Sequence, residues 1–577
     1  MAERIDLLLK NAYVLTMDES FQQYPDGAVA VKGDEIIAVG KSHQLEKSFQ
    51  ARQVMDCGGN VLMPGLVNAH THVAMNLLRG LADDLRLDVW LLGYIMPVER
   101  EFVTPEFVRL GTSLACAELI RSGVTAFADM YYFEDQVAEA TAEAGLRAVC
   151  CQTILKFPSP DADSYEEALA ASEKLIQKWI DHPLITPAVA PHAAYTATVN
   201  ILQQAAALAQ RYHVPLHIHV AETAQEVEDS IRELNMPVVP YIKKQHVLDA
   251  NVIAAHCVHI DEGEMHTLLH HHAGIAHNPT SNLKLSSGIA PVQRMLEIGL
   301  HVGIGTDGVS SNNDLDMFEE MRLTALLAKG STGNPTAVPA KTALAMATRM
   351  GAEAIHIADQ AGSLEAGKKA DLIVVDIHNL HNSPHFRKDP ESIYAQIVYA
   401  AKSTDVLDVM VNGRWLMRSR ELLTVNVDAL LPEAQSLAEE IDHFLAKREE
   451  SVFSKLIAIG GAEEQESYEV QVKVKVEDPQ SVIDRLLESE LEILYSRHYH
   501  EYDTYFEFED PEEGWLRYRE DEFIDPRGKV DNIRYRLTLI GPRREKHFPQ
   551  DVLLSRSRFI APAPHSLRFY REYFQPT

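Results

Sequence analysis

Short apolar runs alternate with longer helical patterns between about Leu62 and Met350. The runs with strand character are LVNAHTH, VTAFADM, RAVCCQTI, LITPAVA, VPLHIHV, NVIAAHCV, GIAHN and HVGIGTD. This alternation favours a parallel sheet whose strands are joined by crossover helices. Eight such units in roughly 250 residues match the size of a (β/α)8 or TIM barrel. The sequence therefore predicts an α/β fold with a barrel over residues 63–354.

Two segments on either side of the predicted barrel have β character. DLLLKNAYVLTM and DGAVAVKGDEIIAVG precede it, and GSLEAGKKADLIVVDI and VMVNGRWLM follow it. We expect residues 1–62 and 355–435 to pair into one small β-sandwich. Residues 436–577 begin with an amphipathic helical pattern and continue with alternating strand patterns, which predicts a separate α+β domain.

Charge and composition exclude several classes of partner. Lys and Arg number 53 against 84 Asp and Glu, a formal net charge of −31 that repels phosphate backbones and anionic lipid. The acidic start MAERIDLLLK lacks the basic flank of a signal peptide, and no run reaches the apolar length of a membrane span. We expect a cytoplasmic protein without a nucleic-acid or membrane partner.

Ionisable side chains end four of the apolar runs. His70 and His72 share one face of the first predicted strand, since residues i and i+2 point the same way. His219 ends the fifth run, with Glu222 three residues later, and His256 ends the sixth. Asp307 takes the same place after the eighth. Imidazoles and carboxylates are costly to bury without a partner, so a shared cation explains the pattern better than buried structural histidines.

A competing pattern occurs at residues 303–308, where GIGTDG fits the dinucleotide fingerprint GxGxxG. A dinucleotide site requires this pattern in the first βα unit and an acidic residue at the end of the next strand. Here the pattern falls in the eighth unit and is followed by the helical EEMRLTALLAK. We therefore favour the metal site.

Five motifs in order carry a family resemblance. PGLVNAHTH, HIHVAET, AAHCVH, HNPTSNLKLSSGIAPVQRM and GTDGVSSNNDLDMFEEMR resemble the amidohydrolase superfamily, and most closely its 5-methylthioadenosine/S-adenosylhomocysteine deaminases, over residues 4–430. The resemblance implies hydrolytic deamination of an adenine nucleoside, a small-molecule substrate. Other ring aminohydrolases of the guanine or triazine type are similar and stay as alternatives.

The resemblance also implies roles for individual residues. His70, His72, His219 and Asp307 would hold one divalent metal ion, zinc in most of the family, and the absence of a lysine from LITPAVAPH fits a single ion. Glu222 would donate a proton to the purine ring, His256 would orient the attacking water, and Asp307 would accept its proton. Glu99 and His192 would bind the ribose hydroxyls. The family has an arginine for the homocysteine carboxylate where this chain has Gln152. Homo-oligomers are common in the family.

The C-terminal region resembles a second family more faintly. YEVQVKVKV, YDTYF, LRYRE, YRLTL and LSRSRF are similar to the CYTH, or triphosphate-tunnel, domains. The resemblance implies an anionic or phosphate ligand, held in part by Arg517 and Arg519, and a phosphate-sensing role is the alternative to an enzyme. Because two of the family's charged positions, one metal-binding carboxylate and one phosphate-binding lysine, are replaced, we favour a solvated charged sheet face.

Overall fold

The computed structural model describes most of the chain. The described residues are 2–386, 388–452, 454–456, 467–472, 478–488, 499–510, 513–525, 527–540, 552–563 and 565–576. They divide into two compact units, one of Met1–Leu87 with Ile95–Ala438 and one of Asp88–Tyr94 with Glu439–Thr577. The segment Asp88–Tyr94 is thus grouped with the C-terminal region, which the sequence did not indicate.

The strands are numbered in chain order. They are β1 (Glu3–Leu15), β2 (Gln23–Lys32), β3 (Glu35–Lys41), β4 (Phe49–Asp56), β5 (Val61–Pro64), β6 (Leu66–Thr71), β7 (Val124–Tyr131), β8 (Arg147–Ile154), β9 (Ile185–Pro191), β10 (Pro215–Val220), β11 (Asn251–His256), β12 (Gly274–His277), β13 (His301–Ile304), β14 (Leu372–Val375), β15 (Val406–Val411), β16 (Arg414–Arg418), β17 (Glu421–Leu422), β18 (Ser467–Val472), β19 (Tyr499–Glu507), β20 (Trp515–Ile524), β21 (Val530–Ile540) and β22 (Val552–Pro562).

Helices connect and cover these strands. The α-helices are Ser42–Ser48, Leu87–Val89, Met96–Phe102, Pro105–Arg121, Glu134–Ala144, Tyr165–Trp179, Val199–Tyr212, Ala224–Leu234, Val238–Lys244, Glu262–His270, Pro279–Lys284, Val292–Ile298, Val309–Asn312, Met317–Thr332, Ala340–Met346, Arg349–Ala354, Ser392–Ala395, Val427–Arg448, Pro479–Leu487 and Leu567–Phe574. Short 3-10 helices span Val73–Leu78, Ala194–Thr196, Val247–Asp249, Leu380–Asn382 and Ser403–Asp405. Two π-helical segments span Trp90–Ile95 and Gln396–Ala400. No helix among the described residues combines the length and apolar character needed to cross a membrane.

Strands β6 to β13 form one parallel sheet in chain order. Its first and last strands meet, because the backbone N–H of Asp307 donates to the carbonyl oxygen of His70 at 2.9 Å. Gly305 allows this approach, since a Cβ there would lie 2.8 Å from the His70 backbone. Small apolar side chains such as Ala126, Ala188 and Ala276 fill the interior. The predicted eight-stranded barrel is confirmed.

The two flanks of the barrel join in a single nine-stranded sheet. Strand β5 of the N-terminal flank pairs antiparallel with β14 of the C-terminal flank, with Met63 opposite Ile373. The sheet continues through β15, β16 and β17 on one side and β1, β2 and β3 on the other, and β4 pairs with β1. The predicted β-element built from both ends of the barrel region is therefore present.

The C-terminal unit contains an antiparallel sheet in the order β18, β22, β21, β20, β19. Arg519 in β20 is 1% exposed and donates to Asp503 and Glu501, each at 2.6 Å. Arg517 is 5% exposed and donates to the Thr538 hydroxyl at 3.3 Å. The phosphate pocket stays a prediction. The structure shows that two carboxylates already balance the charge of Arg519. The second half of YEVQVKVKV, residues 473–476, lies outside the described residues.

Candidate active site

The ionisable side chains predicted from the strand ends lie at one edge of the barrel. His70 is in β6 and His72 directly follows it, His219 is in β10, His256 is the last residue of β11, and Asp307 follows β13. The carboxyl ends of parallel barrel strands share one edge, which is where TIM-barrel active sites lie. The barrel therefore brings all five side chains together.

Two of these residues have a left-handed backbone. His256 has φ 72° and Asp307 has φ 62°. This conformation is uncommon for residues with a Cβ and costs of order 1–3 kcal/mol, so it persists only where surrounding contacts hold it. Both residues come where a buried strand turns into a loop, so this strain lies at the mouth of the barrel.

The ligand-type atoms form two overlapping clusters. Those of His70, His72 and His219 lie within 4.8 Å of one another, and so do those of His70, His256 and Asp307. The Oδ1 atom of Asp307 lies 3.1 Å from Nε2 of His72 and 3.4 Å from Nε2 of His70. Imidazole nitrogens with a carboxylate oxygen are a donor set that binds zinc.

The environment of the nitrogen Nε2 of His70 favours binding of a cation by this cluster. His70 is fully buried, and this atom has no hydrogen-bond partner in the described part of the chain. Burial lowers the pKa of His70 to about 4 and that of His219 well below its ordinary value, so both imidazoles are neutral. A neutral imidazole offers a lone pair to a metal ion. The residues thus fit a bound divalent cation.

The second nitrogen of each imidazole is held from outside the cluster. His72 Nδ1 donates to the carbonyl oxygen of Met130 at 2.5 Å, and His219 Nδ1 donates to that of His192 at 2.8 Å. These bonds fix each ring so that Nε2 points toward the centre of the cluster. Metal-binding histidines are commonly oriented in this way, by a hydrogen bond from the nitrogen that does not bind the metal.

His70 is held by another histidine, which the sequence analysis did not assign to the site. Its Nδ1 lies 3.0 Å from Nε2 of His217, a fully buried ring whose Nδ1 is 3.5 Å from the sulfur of Cys151. His217 is two residues before His219 in β10, so both side chains point to the same face of the strand. This spacing was the sequence signal that could have placed His217 beside the cluster.

Asp307 keeps its charge through contacts on both oxygens. Burial alone would raise its pKa, but the neighbouring imidazoles of His70 and His72 hold it well below the ordinary value. Ser281 donates to Oδ2 at 2.6 Å and Ser311 donates to it at 3.2 Å. Burial of the His72 imidazole works to lower its pKa, but the neighbouring Asp307 carboxylate outweighs burial and raises the pKa of His72 to about 9. The site attracts positive charge.

Glu222 and His256 are neighbours beside this cluster. Oε2 of Glu222 lies 3.9 Å from Nε2 of His256, and Ser287 donates to its other oxygen at 3.3 Å. Burial raises the pKa of Glu222. Oδ1 of Asn282 accepts a hydrogen bond from Nδ1 of His256 at 2.9 Å, and Nε2 of the same ring is directed toward Glu222.

The two predicted ribose residues are also at the mouth. Glu99 is 4% exposed and accepts a hydrogen bond from the Tyr131 hydroxyl at 2.8 Å, and burial raises its pKa to about 7. The ring of His192 lies 4.6 Å from that of His219, and its Nδ1 is 3.0 Å from the Thr196 hydroxyl.

Gln152 stands where the family resemblance implies an arginine. The side chain is 3% exposed and donates from Nε2 to Oδ2 of Asp161 at 2.7 Å. Its amide is neutral and engaged within the barrel, so it supplies no positive charge for a substrate carboxylate.

Comparison with known proteins decides the family. The amidohydrolase family model matches residues 61–416, more than half of the chain. The chain belongs to the amidohydrolase family. A 5-methylthioadenosine/S-adenosylhomocysteine deaminase of Syntrophobacter fumaroxidans is 45% identical over 440 residues, covering 76% of this chain and 99% of the relative. Its counterpart in Thermodesulfovibrio yellowstonii is 39% identical, covering 75% of this chain and 98% of its own.

Solved structures of amidohydrolases share the fold. A zinc-bound adenosine deaminase from Xanthomonas campestris is 38% identical, with a TM-score of 0.74 over 77% of this chain and all of its own. A zinc complex of atrazine chlorohydrolase from Arthrobacter aurescens superposes with a TM-score of 0.69 over 75% of this chain and all of its own, at 23% identity. The second likeness is one of fold alone.

Proposed function

We propose that this amidohydrolase deaminates an adenine nucleoside with a small 5′ substituent, such as 5-methylthioadenosine, and releases ammonia. The observation that carries the proposal is the pairing of a histidine–aspartate cluster with a buried glutamic acid at the same barrel edge. The names of the relatives at 39% and 45% identity support an adenine nucleoside as the substrate. The neutral side chain of Gln152 supports a small 5′ substituent, since it offers no charge to a substrate carboxylate.

His70, His72, His219 and Asp307 would hold one divalent ion, with zinc favoured because the adenosine deaminase from Xanthomonas campestris, at 38% identity, contains it. A divalent cation bound there would lower the pKa of water toward ~7. The Asp307 carboxylate would accept the proton that such a water releases. His256, whose ring is held by Asn282, would orient the attacking oxygen through Nε2.

Glu222 supplies the proton on the other side of the reacting carbon. Burial raises its pKa and so favours the acid form, which would donate to the ring nitrogen and make the adjacent carbon electrophilic. A C–O bond forms at that carbon and the C–N bond to the exocyclic amine breaks. The amine leaves as ammonia with the proton held by Asp307.

A substrate panel tests the proposal. Purified protein is assayed for ammonia release with 5-methylthioadenosine, adenosine, S-adenosylhomocysteine and guanine, with metal analysis of the same preparation. We expect the highest kcat/KM for 5-methylthioadenosine or adenosine, a lower value for S-adenosylhomocysteine and no release from guanine. Release from guanine alone would assign the chain to the guanine-type alternative.

The ribose contact predicts a pH-dependent KM. Since burial raises the pKa of Glu99 to about 7, its carboxylate is the minor form at pH 6 and the major form at pH 8. A charged acceptor binds hydroxyls better than a neutral one by about 1 kcal/mol, so KM for 5-methylthioadenosine should fall ~5-fold as pH rises through 7. Glu99→Gln should remove this dependence. A parent whose KM is constant from pH 6 to 8 would contradict the assignment.

Asn282 is expected to act through His256. Asn282→Ala removes the acceptor at 2.9 Å from Nδ1 and frees the ring to change tautomer. Loss of a residue that orients a histidine of a metal site lowers activity on the order of 10-fold. Here we expect the decrease in kcat, with little change in KM. Asn200→Ala is the matched control, since Asn200 is exposed and bonds only the Tyr165 hydroxyl among the interactions of the described residues. Equal kcat for Asn282→Ala and Asn200→Ala would remove Asn282 from the mechanism.

A further inference from the structure

A short loop of the barrel unit carries Glu222, the proposed proton donor. It consists of residues 221–223, between β10 and the helix Ala224–Leu234. Its first residue, Ala221, has a left-handed backbone with φ 47°. This conformation is uncommon for a residue with a Cβ and persists only where surrounding contacts hold it. The place of Glu222 in the site therefore depends on what holds this loop.

The contacts of the Glu222 carboxyl group are long. Ser287 donates to Oε1 at 3.3 Å, which is long for a hydrogen bond from a hydroxyl group. Nε2 of His256 lies 3.9 Å from Oε2, beyond hydrogen-bond distance. These neighbours orient the carboxyl group, but they leave the position of the residue to its backbone.

Glu226 holds that backbone from the first turn of the following helix. Its Oε2 accepts a hydrogen bond from the backbone N–H of Glu222 at 2.8 Å. On the other side of the loop, the N–H of His259 donates to the carbonyl oxygen of Ala221 at 3.0 Å. The side chain of Glu226 thus ties the backbone of the proposed proton donor to the helix.

This contact departs from the capping box that the sequence TAQE at residues 223–226 predicts. In a capping box the last side chain bonds the backbone N–H of the first residue. Thr223 does accept from the N–H of Glu226 at 3.1 Å, but Glu226 bonds Glu222, one residue earlier. Elsewhere in the chain Asp261 and Glu264 form the ordinary box, each bonding the N–H of the other at 2.8 Å. The displaced bond of Glu226 is therefore directed at the proton donor rather than at the helix end.

The bond to Glu222 does not require a charge on Glu226. Burial raises the pKa of Glu226 to about 7, and the backbone N–H groups of Glu222 and Ala221 oppose that shift. Both forms of the carboxyl group are populated near neutral pH, and each has an oxygen that accepts an N–H. An amide of the same length has such an oxygen too, so glutamine should replace Glu226 in this role.

We infer that Glu226 is a positioning residue for the reaction, which holds the backbone of Glu222 so that its carboxyl group meets the ring nitrogen of the substrate. The inference rests on the proposed function, since it takes Glu222 as the proton donor. Glu226 acts through the reach of its side chain to one N–H group. Its loss should therefore lower kcat and leave KM and metal content close to those of the parent.

Three variants of the full chain separate reach from charge. Glu226→Gln keeps the reach without the charge, Glu226→Asp keeps the charge but is one methylene shorter, and Glu226→Ala has neither. With 5-methylthioadenosine we expect kcat to fall roughly 10- to 100-fold in the Asp and Ala variants, as for a misplaced catalytic group. KM and metal content should stay within about 2-fold, and Glu226→Gln should keep kcat within about 3-fold of the parent. Aspartate is favourable in the first turn of a helix, so Glu226→Asp provides a folded protein for the test.

Two further variants separate positioning from capping. Glu264→Ala removes the same side chain from the ordinary box and should keep the parent's kcat, with a loss of unfolding temperature like that of Glu226→Ala. Adding Glu226→Ala to Glu222→Gln should lower kcat by no more than about 3-fold, since a residue that acts through Glu222 then has no proton donor to position.

The outcomes of these measurements are distinct. Unchanged kcat in Glu226→Asp, an equal loss in Glu226→Gln and Glu226→Asp, or the same fold-loss from Glu226→Ala with and without Glu222→Gln would each overturn the inference. A parent that releases no ammonia from any nucleoside of the panel would instead overturn the proposed function. Full turnover in Glu222→Gln would overturn the assignment of the proton donor on which the inference rests.

Discussion

Asp307→Asn is expected to lower turnover at least ~10³-fold while the barrel remains folded. Asp307 places Oδ1 3.1 Å from Nε2 of His72, and its charge is maintained in a buried setting by His70 and His72. An asparagine keeps the shape but has neither the charge to bind a cation nor the basicity to accept a proton. The variant should therefore lose metal affinity and proton transfer together.

Ammonia release, metal content and thermal unfolding are measured on one preparation of each protein. Asp249→Asn serves as the control, since Asp249 is half-exposed and pairs with the exposed His246. We expect the control to match the parent in all three measurements. If Asp307→Asn kept both its bound metal and its turnover, the cluster at the barrel mouth would not be the reaction centre.

The positions of the main site residues could be predicted because they follow from local pattern. His219, His256 and Asp307 each end an apolar run, and the ends of parallel barrel strands share one edge once the fold is known. The eight runs of the sequence all correspond to strands β6–β13. Burial of ionisable groups was the physical signal, because such groups require a partner.

The residues that hold this set were harder to predict. Asn282 contacts His256 from a short helix 26 positions later, and His217 contacts His70 across 147 positions. Neither pairing is visible in a periodic pattern, because each depends on how loops and neighbouring rings approach in three dimensions. The left-handed backbone at His256 and Asp307 is likewise set by those contacts.

The grouping of Asp88–Tyr94 with the C-terminal unit was also beyond the sequence. Tyr94 and Tyr573 are far apart in the chain, and each lies in an apolar stretch that fits an ordinary core position. Periodicity identifies which face of a helix is buried but not the partner that covers it. The contact of Gly93 with the Tyr573 ring is therefore a finding of the structure.

Glu222→Gln is expected to lower turnover at least ~100-fold with metal content and unfolding temperature unchanged, the lower end for a lost general acid. Burial raises the pKa of Glu222, and Ser287 and His256 hold its oxygens, so a glutamine of the same size fits the same contacts. The amide cannot donate a proton to the ring nitrogen at useful acidity. KM should change little, because the amide still forms a hydrogen bond to that nitrogen.

The pH profile separates this role from a merely steric one. Burial raises the pKa of Glu222 and so extends the acid form to higher pH, and that form is lost as the pH rises further, so the parent's kcat should fall on its alkaline side. Glu222→Gln has no proton to lose there, and its residual kcat should be flat over the same range. Glu228→Gln, an exposed change on the helix Ala224–Leu234, should reproduce the parent's profile. An alkaline limb that persists unchanged in Glu222→Gln would assign the proton donation to another group.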